Sequence, residues 1–103
     1  MEYEFSDKHL VELYETGNSK KLRLPKGLAK KFVERVNRIE AAVTINDLRI
    51  PPSTVFEALG GYDNRFSIRI NDQYRLIFEI TFQDETRMFG KVSILKISKH
   101  YED

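Results

Sequence analysis

Residues 65–82 hold two alternating apolar segments separated by a short polar stretch, and their phase leaves one way to pair them. Arg65-Phe66-Ser67-Ile68-Arg69-Ile70 carries its apolar residues at 66, 68 and 70, and Tyr74 to Phe82 carries them at 74, 76, 78, 80 and 82. Side chains alternate between the two faces of a strand. Both apolar sets therefore reach one core only if paired positions sum to an even number. A three-residue loop, Asn71-Asp72-Gln73, meets that condition by pairing 70 with 74, 68 with 76 and 66 with 78. Arg69 then faces Arg75. Like charges directly opposite cost a sheet roughly a few tenths of a kcal/mol, up to about 1. A chain that accepts such a cost is expected to hold something anionic between them.

At 103 residues the chain is expected to form one domain over 1–103. That length buries somewhat over ~60% of the unfolded surface, enough for a core without staples. There is no cysteine, which excludes a disulfide framework and a Cys-based metal site. His9 and His100 are the only imidazoles, so neither a metal nor another cofactor is expected. The first residues are acidic and no apolar run approaches the ~18 residues of a membrane span. A soluble cytoplasmic protein without a membrane segment is expected.

The formal net charge of +1 conceals a polarised distribution. Residues 1–15 carry five acids and one base, whereas residues 20–38 carry eight bases and one acid. A field of that shape favours a polyanion on one side of the molecule. A solvated helix face is the simpler alternative.

The coarse elements follow from local signals. Glu2 to Phe5 alternates weakly and suits a short edge strand. Ser6-Asp7 reads as a helix start, with His9, Leu10, Leu13 and Tyr14 at helical spacing and Gly17 as the stop. His9 is read as structural. Pro25 suits the first turn of a second helix running to about Ala42, with Leu28, Phe32, Val36, Ile39 and Val43 as one apolar stripe. Lys30, Lys31, Arg35 and Arg38 fall on the remaining arc. Thr44 to Thr54 reads as a connector with a short turn near Asn46–Leu48, stopped by Pro51-Pro52. Val55 to Leu59 reads as a short strand before Gly60-Gly61, and Lys91 to Ser98 as a last strand. In that last strand the apolar residues change parity, so it is central or bulged and its register stays open. Helices first and strands afterwards predict an α+β domain: two N-terminal helices packed on one face of a small twisted antiparallel sheet.

If the last strand lies beside Tyr74–Phe82, topology gathers Arg69, Arg75, Lys99, His100 and Tyr101 at one sheet edge. Paired guanidiniums can grip a phosphate with forked hydrogen bonds. His100 titrates near neutrality and can move a proton. Tyr101 can stack on a base of single-stranded RNA. These are the parts of a metal-independent ribonuclease. Each also has a structural alternative: the arginines can pair with Glu57, Asp72 or Glu79, His100 can be solvated, and Tyr101 can pack on the first helix.

On these residues the chain resembles the RelE/HigB-type toxins of bacterial toxin–antitoxin pairs, in particular the plasmid-maintenance killer proteins of the RelE/ParE superfamily. The most specific stretch is Arg65 to Phe78, with its aromatic-Ser-hydrophobic-Arg strand, Asn-centred turn and aromatic-Arg strand. Leu59-Gly60-Gly61 and Ile97-Ser98-Lys99-His100 agree more loosely. The resemblance implies a fold of two N-terminal helices on an antiparallel sheet. It also implies cleavage of messenger RNA on the ribosome and neutralisation by a cognate antitoxin, commonly a helix-turn-helix protein. Carried over by position, Arg69 and Arg75 hold and polarise the phosphate and His100 is the catalytic histidine. This chain departs from the family pattern in two places. It reads Ser98-Lys99-His100 and continues to Asp103 where members often end Asp-Tyr-His, and it has Glu57 where a histidine is often found.

The expected reaction is attack by a ribose 2′-OH on the adjacent phosphate. Arg69 and Arg75, with Lys99, would stabilise charge, His100 would serve as acid or base, and Glu57 or Tyr101 would complement it. Arg65 and the helix face of Lys30, Lys31, Arg35 and Arg38 would contact RNA, including ribosomal RNA. Two rivals stand beside this reading: a ParE-like gyrase poison that works by protein binding, and a non-catalytic binding module that has lost toxicity.

Overall fold

A computed structural model describes residues 1–99. A first strand, β1 (Tyr3–Phe5), leads into helix α1 (Lys8–Thr16) and helix α2 (Leu28–Ala41). Two 3₁₀ turns (Ile45–Arg49 and Pro52–Thr54) connect α2 to four strands: β2 (Glu57–Ala58), β3 (Arg65–Arg69), β4 (Tyr74–Phe82) and β5 (Gly90–Lys99).

The helix ends are where local chemistry puts them. The Asp7 carboxylate accepts from the His9 N–H at 2.7 Å and caps α1. Gly17 closes the helix at φ 75°, a left-handed position that glycine adopts without a Cβ penalty. Helix α2 stops at Ala41, short of Val43, which lies past the helix and is 67% exposed. Val43 is therefore not part of the buried stripe expected of it. The helical period carries Leu28, Phe32, Val36 and Ile39 to one side, and the chain turns extended at Ala42 before 43 can complete the row.

All five strands form one sheet in the order β1-β5-β4-β3-β2. The pairing read from parity is present: Phe66 faces Phe78, Ile68 faces Leu76 and Arg69 faces Arg75. The even-numbered residues of β3 and β4 join Leu10, Leu13, Leu28, Phe32, Val36 and Ile39 of the helices in one buried cluster.

Two features of the sheet depart from expectation. It is mixed rather than antiparallel, because β1 runs parallel to β5 with Tyr3 against Val92 and Phe5 against Ile94. The segment between β1 and β5 in the chain includes both helices, so no tight turn forces an antiparallel approach. Strand β2 is only two residues long, shorter than the expected 55–59.

The parity change in β5 has a direct cause. Ile77 pairs with Lys96 and Phe78 with Ile94, leaving Leu95 as an extra bulged residue. The bulge returns Ile97 to the core face, opposite Leu76. At the other end of the pair, Gly90 lies against β4 so closely that a Cβ would sit 2.6 Å from the Thr81 carbonyl oxygen. Only glycine fits that contact without moving backbone. Among the described residues no helix is long and apolar enough to cross a membrane.

Candidate functional site

The sheet face opposite the helices is built from the odd positions of β3 and β4. Arg65, Ser67 and Arg69 lie across from Glu79, Ile77 and Arg75, and Glu57 extends the row from β2, opposite Ser67. Beyond the bulge, β5 contributes Lys96 opposite Ile77 and Ser98 opposite Arg75.

Within this face the two arginines are close for a reason of ladder geometry. The Ile70 N–H donates to the Tyr74 carbonyl at 2.9 Å, so the next pair, Arg69 and Arg75, is a non-hydrogen-bonded one. Such pairs bring their Cα atoms to about 4.5 Å, closer than the alternating hydrogen-bonded pairs. The turn that sets this is held by Asn71, whose Oδ1 accepts from the N–H groups of Gln73 (2.9 Å) and Tyr74 (2.8 Å).

Each guanidinium has a carboxylate beside it. Arg69 pairs with Asp72, and Arg75 Nη1 lies 3.1 Å from Glu57 Oε2 and 3.5 Å from the buried Ser67 Oγ. The structural alternative read from the sequence is therefore present for both arginines, while Glu79 pairs with Arg65 at 2.9 Å. The strength of these pairs decides what they mean. Asp72 is 88% exposed and Glu57 46%. Ion pairs of that exposure contribute about 0–1 kcal/mol, so they orient the guanidiniums without locking them against a phosphate, which offers a bidentate acceptor. A shallow cavity of about 200 Å³ opens here, lined by Val55, Arg69, Asn71, Asp72 and Arg75.

Val55 stands at the rim in the left-handed region, φ 46° and ψ 65°, a strained conformation for a β-branched residue. Its N–H donates to the Pro52 carbonyl at 3.0 Å, which ends the second 3₁₀ turn and delivers the chain to Glu57. Backbone strain of this kind concentrates at functional sites.

Not every residue expected here is brought together. Lys99 pairs with Tyr74, on the helix side of the sheet, with its ammonium 6.0 Å from the Tyr74 ring centroid. The Leu95 bulge moves it off the arginine face, so Lys99 does not join Arg69 and Arg75; Lys96 takes that face instead. His100 and Tyr101 lie outside the described residues.

On helix α2, Lys30, Lys31 and Arg38 are exposed as expected, but Arg35 is turned inward with its side chain 15% exposed. Its Nε donates to the Arg69 carbonyl at 2.8 Å and its Nη2 to the Ile70 carbonyl at 3.2 Å. Burial, and the neighbouring charges of Arg38 and Arg69, push its pKa below the ordinary guanidinium value. Arg35 is therefore a brace on the hairpin end rather than part of the exposed basic arc.

Ser67 and Lys96 were missed from sequence for different reasons. Parity alone puts Ser67 on the arginine face, between Arg65 and Arg69, whereas Lys96 becomes readable only once the bulge is known. Geometrically, the site is a notch between two guanidiniums, each with a carboxylate beside it, the deeper one carrying Glu57. It can bind a phosphodiester and take a proton beside it.

Comparison with known proteins gives a consistent picture. Residues 3–89 match a family model described as HigB-like toxin, the RelE-like toxin of the type II toxin–antitoxin system HigB. The chain is 40% identical over 80 residues to Toxin HigB-1 of Vibrio cholerae, covering 77% of this chain and 83% of that protein. It is 38% identical over 76 residues to an uncharacterized protein of Haemophilus influenzae, covering 73% and 74% of the two chains. Among solved structures, a YoeB/ParE toxin from Agrobacterium tumefaciens superposes with a TM-score of 0.54 at 15% identity, covering 98% of this chain and 100% of that one, a likeness of fold.

Proposed function

The chain belongs to the HigB-like family of RelE-type toxins of type II toxin–antitoxin systems, and from that premise we propose that it is a messenger-RNA endoribonuclease using the notch between Arg69 and Arg75. The toxin class carries with it an antitoxin partner. The observation that supports nuclease chemistry is the Arg69–Arg75 pair with the Glu57 carboxylate 3.1 Å from the Arg75 guanidinium.

The reaction needs a cation for the phosphorane-like transition state, a base and an acid. Arg69 and Arg75 bind the non-bridging phosphate oxygens and stabilise the charge that grows on them. Glu57 accepts the proton of the ribose 2′-OH. The 2′-oxygen then bonds to phosphorus as the P–O5′ bond breaks, giving a 2′,3′-cyclic phosphate and a 5′-hydroxyl. His100 returns a proton to the departing 5′-oxygen. The exposed Lys30, Lys31 and Arg38 supply salt-sensitive contacts to ribosomal RNA, and the site of action is the translating ribosome in the cytoplasm. The antitoxin is a helix-turn-helix protein that covers this chemistry until it is removed.

Arg75→Ala tests the reading. Loss of a preorganised charge-stabilising donor costs about 10²–10³ in rate. The variant should lose message cleavage by that factor, mapped by primer extension after brief induction, and release cells from growth arrest. Arrest as deep as the parent's, with messages still cut, refutes it. Arrest without any cut message, in the parent as well, favours a poison that acts by protein binding.

A further inference from the structure

The loop between β2 and β3 presents an aromatic ring that the fold does not need as core. Leu59 N–H donates to the Arg65 carbonyl at 2.9 Å and closes the loop base. Gly61, at φ 85°, turns the chain so that Tyr62 comes out 52% exposed. One face of its ring is occupied: the Arg65 guanidinium lies over it, 4.1 Å from the centroid. That guanidinium is itself held, donating from Nε (3.3 Å) and Nη2 (2.9 Å) to Glu79 Oε2. The ring therefore rests on a planar cation that is fixed from behind, and its orientation is set before anything binds. Preorganisation of this sort removes the entropy that a free side chain would lose on contact.

Position gives the platform its meaning. Arg65 is two residues from Ser67 on the same strand face, and at about 3.3 Å per residue they stand about 7 Å apart. Ser67 is where the Arg75 guanidinium and the Glu57 carboxylate meet. The Tyr62–Arg65 stack is thus about the length of an unstacked nucleotide from the near side of the notch, the Arg75 guanidinium at Ser67, and about 13 Å along the strand from Arg69, on the same side of the sheet. Cations line that side at Arg65, Arg69, Arg75 and Lys96, with Glu79 and Glu57 paired to Arg65 and Arg75. Guanidiniums beside an open aromatic face are the parts of a single-strand nucleic-acid groove.

We propose that the exposed face of Tyr62 is a nucleobase-stacking subsite, which seats the base of the nucleotide neighbouring the one whose phosphate lies between Arg69 and Arg75. The ligand is single-stranded RNA, and purines, with their larger stacking area, fill the subsite better than pyrimidines. This proposal rests on the reading of Arg69 and Arg75 as a phosphate site and adds to it the element that grips the strand beside the cut. Tyr62 binds; it is given no part in the proton transfers.

The test uses the full chain and a fluorescein-labelled single-stranded RNA heptamer with a 2′-deoxy group at the cleaved nucleotide, so that binding is read without cleavage. Affinities come from fluorescence anisotropy for the parent, Tyr62→Phe, Tyr62→Leu and Arg75→Ala. Each is measured with the intact heptamer and with versions abasic at either neighbour of the deoxy position.

Stacking on an aromatic side chain sets the expected loss for Tyr62→Leu at roughly 5- to 150-fold. Tyr62→Phe keeps the ring and should stay within about threefold. In the parent, one of the two abasic heptamers should lose the same factor as Tyr62→Leu, and in Tyr62→Leu that abasic heptamer should bind no worse than the intact one. Parent affinity in Tyr62→Leu, or an abasic penalty equal in both proteins, overturns the subsite. If Arg75→Ala loses binding while Tyr62→Leu does not, the subsite is wrong and the phosphate site stands. If Tyr62→Leu loses binding with the abasic signature while Arg75→Ala does not, the subsite stands and the phosphate assignment fails. A parent protein that does not bind the heptamer overturns both.

Discussion

Replacing Arg35 by methionine isolates the contact that ties helix α2 to the working end of the hairpin. Methionine keeps most of the apolar stem and deletes the guanidinium, so the change is close to a removal of two hydrogen bonds. Bonds from charged donors contribute about 1.5–3 kcal/mol each. Both reach backbone carbonyls, of Arg69 and Ile70, at the point where β3 has run past its two-residue neighbour β2. Those carbonyls would regain some water at the sheet end, which offsets part of the loss. The guanidinium also sits partly desolvated beside Arg38 and Arg69, and its removal relieves that repulsion. The two offsets bring the net effect below the ~3 kcal/mol low end for two such bonds, to a destabilisation of about 2 kcal/mol. In urea, with a slope of about 1.5 kcal/mol/M, the midpoint should fall by about 1.3 M. The melting temperature should fall by about 8–16 °C. Arg35→Lys, which keeps a charged donor but loses the fork, should fall about halfway between. A second measurement separates the brace from a phosphate contact. The slope of log affinity against log salt for ribosomal RNA should be unchanged in Arg35→Met, whereas Lys30→Met, Lys31→Met or Arg38→Met should each lower it by about 1. An Arg35→Met protein that unfolds at the parent's midpoint with the same slope would refute the brace.

Two further outcomes follow from named strains and charges. Val55→Asn should stabilise the chain by about 1 kcal/mol, because a left-handed residue costs about 1–2 kcal/mol unless it is glycine or asparagine; a lower melting temperature would show that the valine's packing outweighs its backbone. The Asp47 carboxylate accepts from the N–H groups of Thr44 (3.0 Å) and Val43 (2.8 Å), which holds its pKa below the usual carboxylate range. Its folded pKa is depressed, so its contribution to stability is complete above the unfolded value of about 4 and is lost as pH falls through the folded one. Urea midpoints followed downward from pH 6 should therefore drop less steeply in Asp47→Asn than in the parent, and parallel curves would remove Asp47 from the acid response.

Side-chain period and turn length were enough to read the centre of this protein. The even-numbered apolar positions of 66–82 admit one register, and that register alone put Arg69 opposite Arg75. Asp7 and Gly17 marked the ends of α1 because capping is a local bargain between a side chain or a positive φ and a few backbone groups. The charge asymmetry of the N-terminal third was likewise open to reading, as was the likeness to RelE-type toxins carried by residues 65–78.

Contacts between segments distant in the chain decided the rest. The parallel docking of β1 on β5, the bulge at Leu95 that moves Lys99 off the arginine face and brings Lys96 onto it, and the inward turn of Arg35 all depend on partners supplied by other elements. So do the carboxylates that stand beside Arg69 and Arg75. Periodicity says which face a residue occupies within its own element. Whether an arginine on that face meets solvent, a carboxylate or an orphan carbonyl is settled by whichever donor and acceptor groups packing brings within about 3 Å.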